Sequence, residues 1–241
     1  MKVYIITLEN DKKSVKAKNV AVGSLIVYNE NYIEPVVFPA VTPKTSDSVL
    51  KRFNIKWNYP WNGEVQNDLS SGLKKVGYNT AEPKKRIACF LSHYLLWVNV
   101  IENNIPAIIC EHDAVFYDKI PDDVLNASTK NIISLNEPQP GATPRAQVYK
   151  EKVEAFAQKS GKKQTVTPVP YVQDSVLPAG LPGNSAYYIR PEGAQKLVEL
   201  TREFGAWPND AIMCRQLIGS KIGCLYPFIS RVQGIESSTT L

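Results

Sequence analysis

The sequence predicts an α/β fold, a mixed and mostly parallel sheet flanked by helices in a single domain, and three observations carry that prediction. Val3 to Leu8 (VYIITL) is a strand pattern that runs into a helical one from Asp11 to Val22, and a strand feeding a helix is the opening of an α/β unit. Ala107 to Cys110 is an unbroken apolar run behind Pro106, as expected of a parallel strand covered on both faces. Two long amphipathic helix patterns, Arg86 to Ile101 and Pro191 to Phe204, supply the covering layers.

In chain order, the first helix has Val15, Asn19 and Val22 at helical spacing and is expected to stop at Gly23. Short strands are expected at Ser24 to Tyr28 and at Pro35 to Val41. Lys44 to Tyr78 gives no clear pattern; Trp57, Tyr59, Trp61 and Tyr78 lie there among Asn, Gly and Pro. Such aromatics suit either packing of a loop or stacking on sugar rings and bases.

In the Arg86 to Ile101 helix, Ile87, Phe90, Leu91, Tyr94, Val98 and Ile101 define a core face. Arg86, Cys89, His93 and Trp97 fall on an adjoining stripe, so a cation and an imidazole are expected to look out beside the core. Past Phe116 come a short helix in Asp118 to Ser128, a strand at Asn131 to Leu135 and a Pro/Gly loop from Glu137 to Thr143. A helix follows from Arg145 to Lys159, with Ala146, Tyr149, Val153 and Phe156 at its spacing. The stretch 137–180 reads as a basic insertion, too poor in apolar residues for a core of its own, and suits an acceptor clamp or a surface elaboration. Leu181 to Ile189 gives a Gly turn and a strand, and Pro191 opens a helix closed by Gly205. Trp207 to Asp210 opens another with Ile212, Met213 and Leu217, where Asp210 is either an N-cap or a poised carboxylate. Cys224 to Ile229 is the last strand, before a polar tail.

Composition narrows the class. Of 241 residues 44% are hydrophobic, which fits a globular domain, and 28 Lys+Arg against 23 Asp+Glu give a net charge of +5. That surplus favours anionic partners without selecting one. The four cysteines lack C-x-x-C spacing and read as reduced and structural. The apolar N-terminal run meets Glu9 too early for a signal-peptide core, and no run reaches transmembrane length. The expected location is cytoplasmic, with peripheral membrane contact left open.

The chemistry concentrates where the apolar run ends, at Glu111, His112 and Asp113. Ligands of open α/β sheets bind beyond the carboxyl ends of such strands. Two carboxylates one residue apart there can share Mg²⁺ or Mn²⁺, which combine one or two protein carboxylates with substrate phosphates. The same Glu-x-Asp also suits a solvated turn or a helix N-cap.

The order of several blocks is more specific than any one of them. KKRIACFLSHYLLW, AIICEHDAVF, GNSAYYIRPEGAQKLVE, WPNDAIM and LYPFISRVQGIESS, with VYIITLEN at the start, resemble the successive blocks of glycosyltransferase family 25, the lipopolysaccharide and collagen galactosyltransferase-like proteins. The likeness spans most of the chain apart from about 44–78 and 137–180. It implies a GT-A type fold and metal-assisted, inverting transfer of a hexose from a nucleotide diphosphate sugar, often UDP-linked. The implied acceptor is a glycan or lipid-linked saccharide.

Residue by residue, Cys89, Ser92 and His93 match the family's Cys-x-x-Ser-His, and Glu111 and Asp113 its Glu-Asp-Asp. Asn184, Ser185, Ala186 and Tyr187 match its small-residue-Ala-Tyr block, and Asp210 the acid before its last helix. Thr7, Ser92, His93, Glu111, Asn184 and Ser185 are expected to hold the donor, together with Arg86, whose cation suits a phosphate although it stands near where the family often has Glu. Asp113 and Glu111, with His112, are expected to hold Mn²⁺ or Mg²⁺, and Asp210 is expected to act as catalytic base. His112 replaces the middle acid of the motif and Ala88 its Gly, so altered metal use and a catalytically silent sugar- or nucleotide-binding protein both stay open. The basic balance also leaves room for hydroxymethylated DNA as acceptor.

Overall fold

The computed structural model describes residues 1–29, 32–139 and 145–235. Its first half holds β1 (Lys2–Thr7), α1 (Lys12–Asn29), β2 (Glu34–Pro39), α2 (Ser46–Phe53), β3 (Val65–Asp68), β4 (Leu73–Val76), α3 (Pro83–Asn103), β5 (Ala107–Glu111) and β6 (Ala114–Phe116). The second holds α4 (Asp122–Ala127), β7 (Ile132–Ser134), α5 (Ala146–Ser160), β8 (Thr165–Pro168), β9 (Ala186–Ile189), α6 (Pro191–Phe204), α7 (Asn209–Ile212), α8 (Arg215–Ile218), β10 (Ile222–Tyr226) and β11 (Ser230–Val232).

Seven strands form one sheet in the order β2-β1-β5-β9-β7-β10-β8. β2, β1, β5, β7 and β10 share one direction, while β9 and β8 run against their neighbours. The sheet is therefore mixed and mostly parallel, as predicted. β5 is covered on both faces: Ala107 and Ile109 join the core beneath α3 and α6, and Ile108 and Cys110 the core beneath α1. Strand alternation thus sends a continuous apolar run into two cores, each large buried side chain contributing about 1.5–3 kcal/mol.

Several local expectations are corrected. α1 does not stop at Gly23, and Ser24 to Tyr28 is its last turns rather than a strand. Ala21, Leu25 and Asn29 continue the buried i, i+4 stripe, and two polar side chains tie the extension down. The Ser24 hydroxyl donates to Ala21 O at 2.8 Å and accepts from Phe116 N at 3.0 Å, and Asn29 Oδ1 accepts from Ile120 N at 2.9 Å.

Residues 44–78 are ordered as α2 and a β3–β4 hairpin. Trp57 and Trp61 stack on each other at 4.9 Å, and Lys75, fully buried, donates to Asn58 O at 2.9 Å and lies 4.9 Å from the Trp207 ring centroid. The helix expected after Trp207 is two short ones, because Cys214 between them is extended. The last strand begins earlier and ends at Tyr226, and β11, not foreseen, pairs with β6. The Glu137 to Thr143 loop lies partly outside the described residues, as does the tail after 235. Within 137–180, β8 pairs with β10 at the sheet edge, while Tyr149 and Val153 of α5 enter the main core.

The stripe on α3 is also reassigned. His93 and Trp97 are fully buried, and of the expected core face Ile87, Val98 and Ile101 are only partly so. α3 is enclosed by the sheet on one side and by α2 and α6 on others, so its buried arc is wider than the sequence pattern implied. Among the described residues, no helix is long and apolar enough to cross a membrane.

Candidate active site

β1 and β5 run parallel with Ile6 opposite Glu111, so Thr7 and the Glu111–Asp113 turn emerge at the same carboxyl edge. A cleft of ≈ 270 Å³ opens there, lined by Leu8, Asp11, Cys89, His93 and Glu111 to Asp113, among others. The turn is held from two sides. Glu111 N donates to Ser185 O at 2.8 Å, and Gln233 N to Asp113 O at 2.8 Å. The Gln233 side chain donates to Ala17 O at 2.9 Å and Ala114 O at 3.1 Å.

A buried hydrogen-bond chain reaches the cleft from the core. Trp97 Nε1 donates to the Tyr187 hydroxyl at 2.8 Å, that hydroxyl lies 3.0 Å from His93 Nδ1, and His93 Nε2 lies 3.3 Å from Glu111 Oε1. An ionised carboxylate can only accept, so the Nε2 proton faces Glu111; in the neutral imidazole Nδ1 is then the acceptor for the Tyr187 proton, while the Tyr187 oxygen accepts from Trp97. Burial alone would raise the Glu111 pKa, but the His93 hydrogen bond, the charges of His93 and His112, and the Cys89 thiol outweigh it, and the net shift is downward.

Asp113 is in the opposite situation. Its Oδ1 is buried without a partner, and burial, then the charge of Glu111, pushes its pKa up to about 7. A buried carboxylate oxygen with nothing to accept from, beside a second carboxylate, is the arrangement a hard divalent cation completes. Asp113 thus keeps an acceptor open to the metal that the sequence implied, with Glu111 as second carboxylate, but among the described residues Glu111, His112 and Asp113 are not gathered closely enough to form one three-ligand group. Burial lowers the His112 pKa, which favours the neutral imidazole, the form able to ligate a metal.

The other expected donor residues are placed variously. The Thr7 hydroxyl donates to Ile5 O at 3.1 Å. Ser92 is fully buried, donating to Ala88 O at 2.8 Å and accepting from Val41 N at 2.9 Å; its hydroxyl ties α3 to the segment after β2. Ser185 Oγ donates to Asn136 Oδ1 at 2.7 Å. Asn184 sits beside Met213 with its Oδ1 buried and unpaired.

Asp210 and Arg86 belong to a second region. Asp210 lies in the first turn of α7, where the N-cap is Pro208 and no side chain caps the helix; the N-cap reading of Asp210 is thereby set aside. It lines a cleft of ≈ 340 Å³ with Tyr59, Tyr78, Tyr171 and Gly180. Burial raises its pKa, the Arg86 charge lowers it, and the Glu111 charge raises it again, with a net upward shift. Arg86 lies over the Tyr78 ring at 5.0 Å and donates from Nε to Thr80 Oγ1 at 2.9 Å. Gly180 has no room for a side chain, since a Cβ there would fall 1.8 Å from Asp210 O. Glu111 and Asp210 each carry one cleft, and their charges are mutually felt across the boundary.

Sequence reasoning missed Gln233 as part of the site, offered Tyr78 only among aromatics suited to packing or stacking, placed Trp97 only on the α3 stripe beside the core, and singled out Tyr187 only within its block. Gln233 stood in the quoted block LYPFISRVQGIESS, but no spacing rule links it to residue 113.

The acids at the carboxyl edge of the sheet lie where ligands of open α/β sheets bind, with a second, aromatic-lined cleft carrying Asp210 beside them. The model of glycosyltransferase family 25, described as an LPS biosynthesis protein family, matches residues 1–213, and the chain belongs to that family. It is thereby a glycosyltransferase. No curated protein matches the sequence. Among solved structures, the chain is similar to mouse xyloside xylosyltransferase 1 in its apo form, at 12% identity and a TM-score of 0.41, covering 90% of this chain and 80% of that one. It is also similar to the galactosyltransferase LgtC in complex with donor and acceptor sugar analogs, at 11% identity and a TM-score of 0.42, covering 93% and 73%.

Proposed function

We propose that the protein transfers a hexose from a nucleotide diphosphate sugar, UDP-linked by family likeness, to a hydroxyl of a glycan or lipid-linked saccharide, with inversion and with help from a divalent cation. The observation that supports this reading best is the pair of clefts, one ending at Glu111 and Asp113, the other carrying Asp210. In this reading the fold is of GT-A type and the donor lies over the carboxyl edge of β1 and β5. Asp113 and Glu111, with His112 beside them, hold Mn²⁺ or Mg²⁺, which when bound neutralises charge developing on the leaving diphosphate.

The chain's own residues have separate tasks. His93 keeps Glu111 ionised and oriented, and Gln233 fixes the turn that presents Asp113. Thr7, Ser92, Asn184 and Ser185 shape the donor side. Arg86 stands between the clefts, where a cation can meet the diphosphate. Asp210 takes the acceptor hydroxyl proton as the bond to the donor forms, the role that inverting transfer demands of one carboxylate. Tyr59, Tyr78 and Tyr171 give the second cleft apolar faces suited to sugar rings. The 137–180 segment supplies part of that cleft and is assigned to acceptor choice. The family's LPS description favours a saccharide acceptor over DNA.

The test is a panel of UDP-, GDP-, CDP- and dTDP-sugars, scored by thermal stabilisation and by transfer to saccharide acceptors, with Mn²⁺, Mg²⁺ or chelator. One donor that stabilises the protein only with metal, and is consumed with acceptor, supports the proposal. A folded protein that responds to none of them overturns it.

A further inference from the structure

Among the described residues, the ligand atoms of Cys89, His93 and Glu111 lie within 4.8 Å of one another. Cys89 and His93 are four apart on α3, which puts them on one face of a helix, the spacing by which two side chains of one helix grip a single zinc ion. Glu111 Oε1 completes the triangle from the end of β5, at 3.3 Å from His93 Nε2 and 3.7 Å from Cys89 Sγ. A tetrahedral Zn²⁺ with bonds of about 2.0–2.3 Å holds its ligands roughly 3.3–3.5 Å apart, so two of the three edges already have nearly the required length.

We propose that Cys89, His93 and Glu111 form a binding site for a thiophilic divalent cation, Zn²⁺ in the first instance, distinct in donor chemistry from the carboxylate pair that serves the donor diphosphate. Sulfur and imidazole select zinc over Mg²⁺ and Mn²⁺, which prefer oxygen. Three protein ligands leave a fourth position toward the cleft. Binding releases the Cys89 thiol proton to solvent. The His93 proton moves from Nε2 to Nδ1, where the Tyr187 oxygen can accept it, at the cost of the Tyr187 donation to that nitrogen. The half-buried Cys89 can reach such an ion, whereas Cys110, Cys214 and Cys224 are fully buried.

The binding site stands on this geometry alone, while its consequence rests on the function proposed above. Glu111 is common to both cation sites, so zinc withdraws it from the metal that holds the donor diphosphate. Zn²⁺ is therefore an inhibitor that competes with Mn²⁺ or Mg²⁺.

The experiment uses metal-stripped full-length protein without nucleotide sugar, titrated with Co²⁺ and followed by absorption. The expected result is one equivalent of Co²⁺ giving a thiolate-to-cobalt band in the near ultraviolet with visible bands of tetrahedral strength, displaced by one equivalent of Zn²⁺. Cys89→Ser, at a half-buried position, should abolish the thiolate band, and Glu111→Gln should weaken binding by about tenfold or more. In the transfer assay, Zn²⁺ should inhibit the wild type with a half-inhibitory concentration that rises with added Mn²⁺. A thiolate band that survives in Cys89→Ser, or weak octahedral cobalt without sulfur, overturns the site. Tight Cys89-dependent binding in a protein that transfers no sugar keeps the site and removes the function.

Discussion

The Tyr187 hydroxyl and Nδ1 of His93 share a hydrogen bond across 3.0 Å, and Tyr187 is its donor when the neutral imidazole keeps its proton on Nε2, toward the Glu111 carboxylate. Because Trp97 already donates to the same hydroxyl at 2.8 Å, Tyr187 has a single proton and a single destination for it. Tyr187→Phe removes the donor and leaves the Trp97 N–H buried without an acceptor. The expected loss is about 1–3 kcal/mol of stability, read as a lower denaturation midpoint at unchanged m-value; an unchanged midpoint would mean that the chain of bonds carries no weight.

Asp113 makes a pH prediction whose sign is fixed. Its folded pKa, about 7, lies above the ordinary carboxylate value of 3.8, so the folded state holds a proton that the unfolded state has lost. Stability from this group is present below the unfolded value and is lost as pH rises through about 7. Metal-free wild type should therefore lose stability relative to Asp113→Asn between about pH 4 and 7, and Mn²⁺ should restore it above pH 7. Parallel stability profiles for the two proteins would contradict the assignment.

Asp210→Asn should leave donor binding near the wild-type value while lowering kcat by about 10²–10⁴-fold. The wild-type pKa is raised by burial and by Glu111 against the pull of Arg86, and a base must be ionised to act. The acidic limb of the kcat profile should accordingly lie above the usual carboxylate range, with activity rising as pH rises. A variant with unchanged kcat would move the role of base elsewhere.

Gly180→Ala tests the second cleft without removing a polar side chain. The added methyl meets Asp210 O and must push α7 or the 177–181 segment aside, at an expected cost of about 1–3 kcal/mol. Activity should fall through KM for acceptor and through kcat, while donor stabilisation by nucleotide sugar persists. Equal loss of donor binding would show that the two clefts are not separable.

Much of the fold could be read from local pattern. β5 announced itself because both of its faces are buried, and α6 because Pro191 and Gly205 mark its ends. α1 was misread because a glycine with open space around it is tolerated mid-helix, and because the exposed Ile26 and Val27 mimic a strand. The acids 111 and 113 were legible as a pair, since both lie on one short segment. Their difference was not: one is held ionised by an imidazole from α3, and the other is stranded by burial. Trp97, expected on the stripe beside the core, is fully buried, and only the hydroxyl opposite its indole nitrogen gives it a bearing on the site. The β3–β4 hairpin was hidden because its strands are short and mostly polar outward, and its anchor, Lys75 over Trp207, joins positions far apart in the chain.

Gln233 grips the backbone on both sides of residue 113 and also reaches Ala17, 216 positions earlier in the sequence. During synthesis the acids and the helix behind them emerge long before this glutamine does. A nascent chain can thus carry every acid of the motif and still lack the clasp that sets their turn, so this edge takes its final form only after Gln233 has been made.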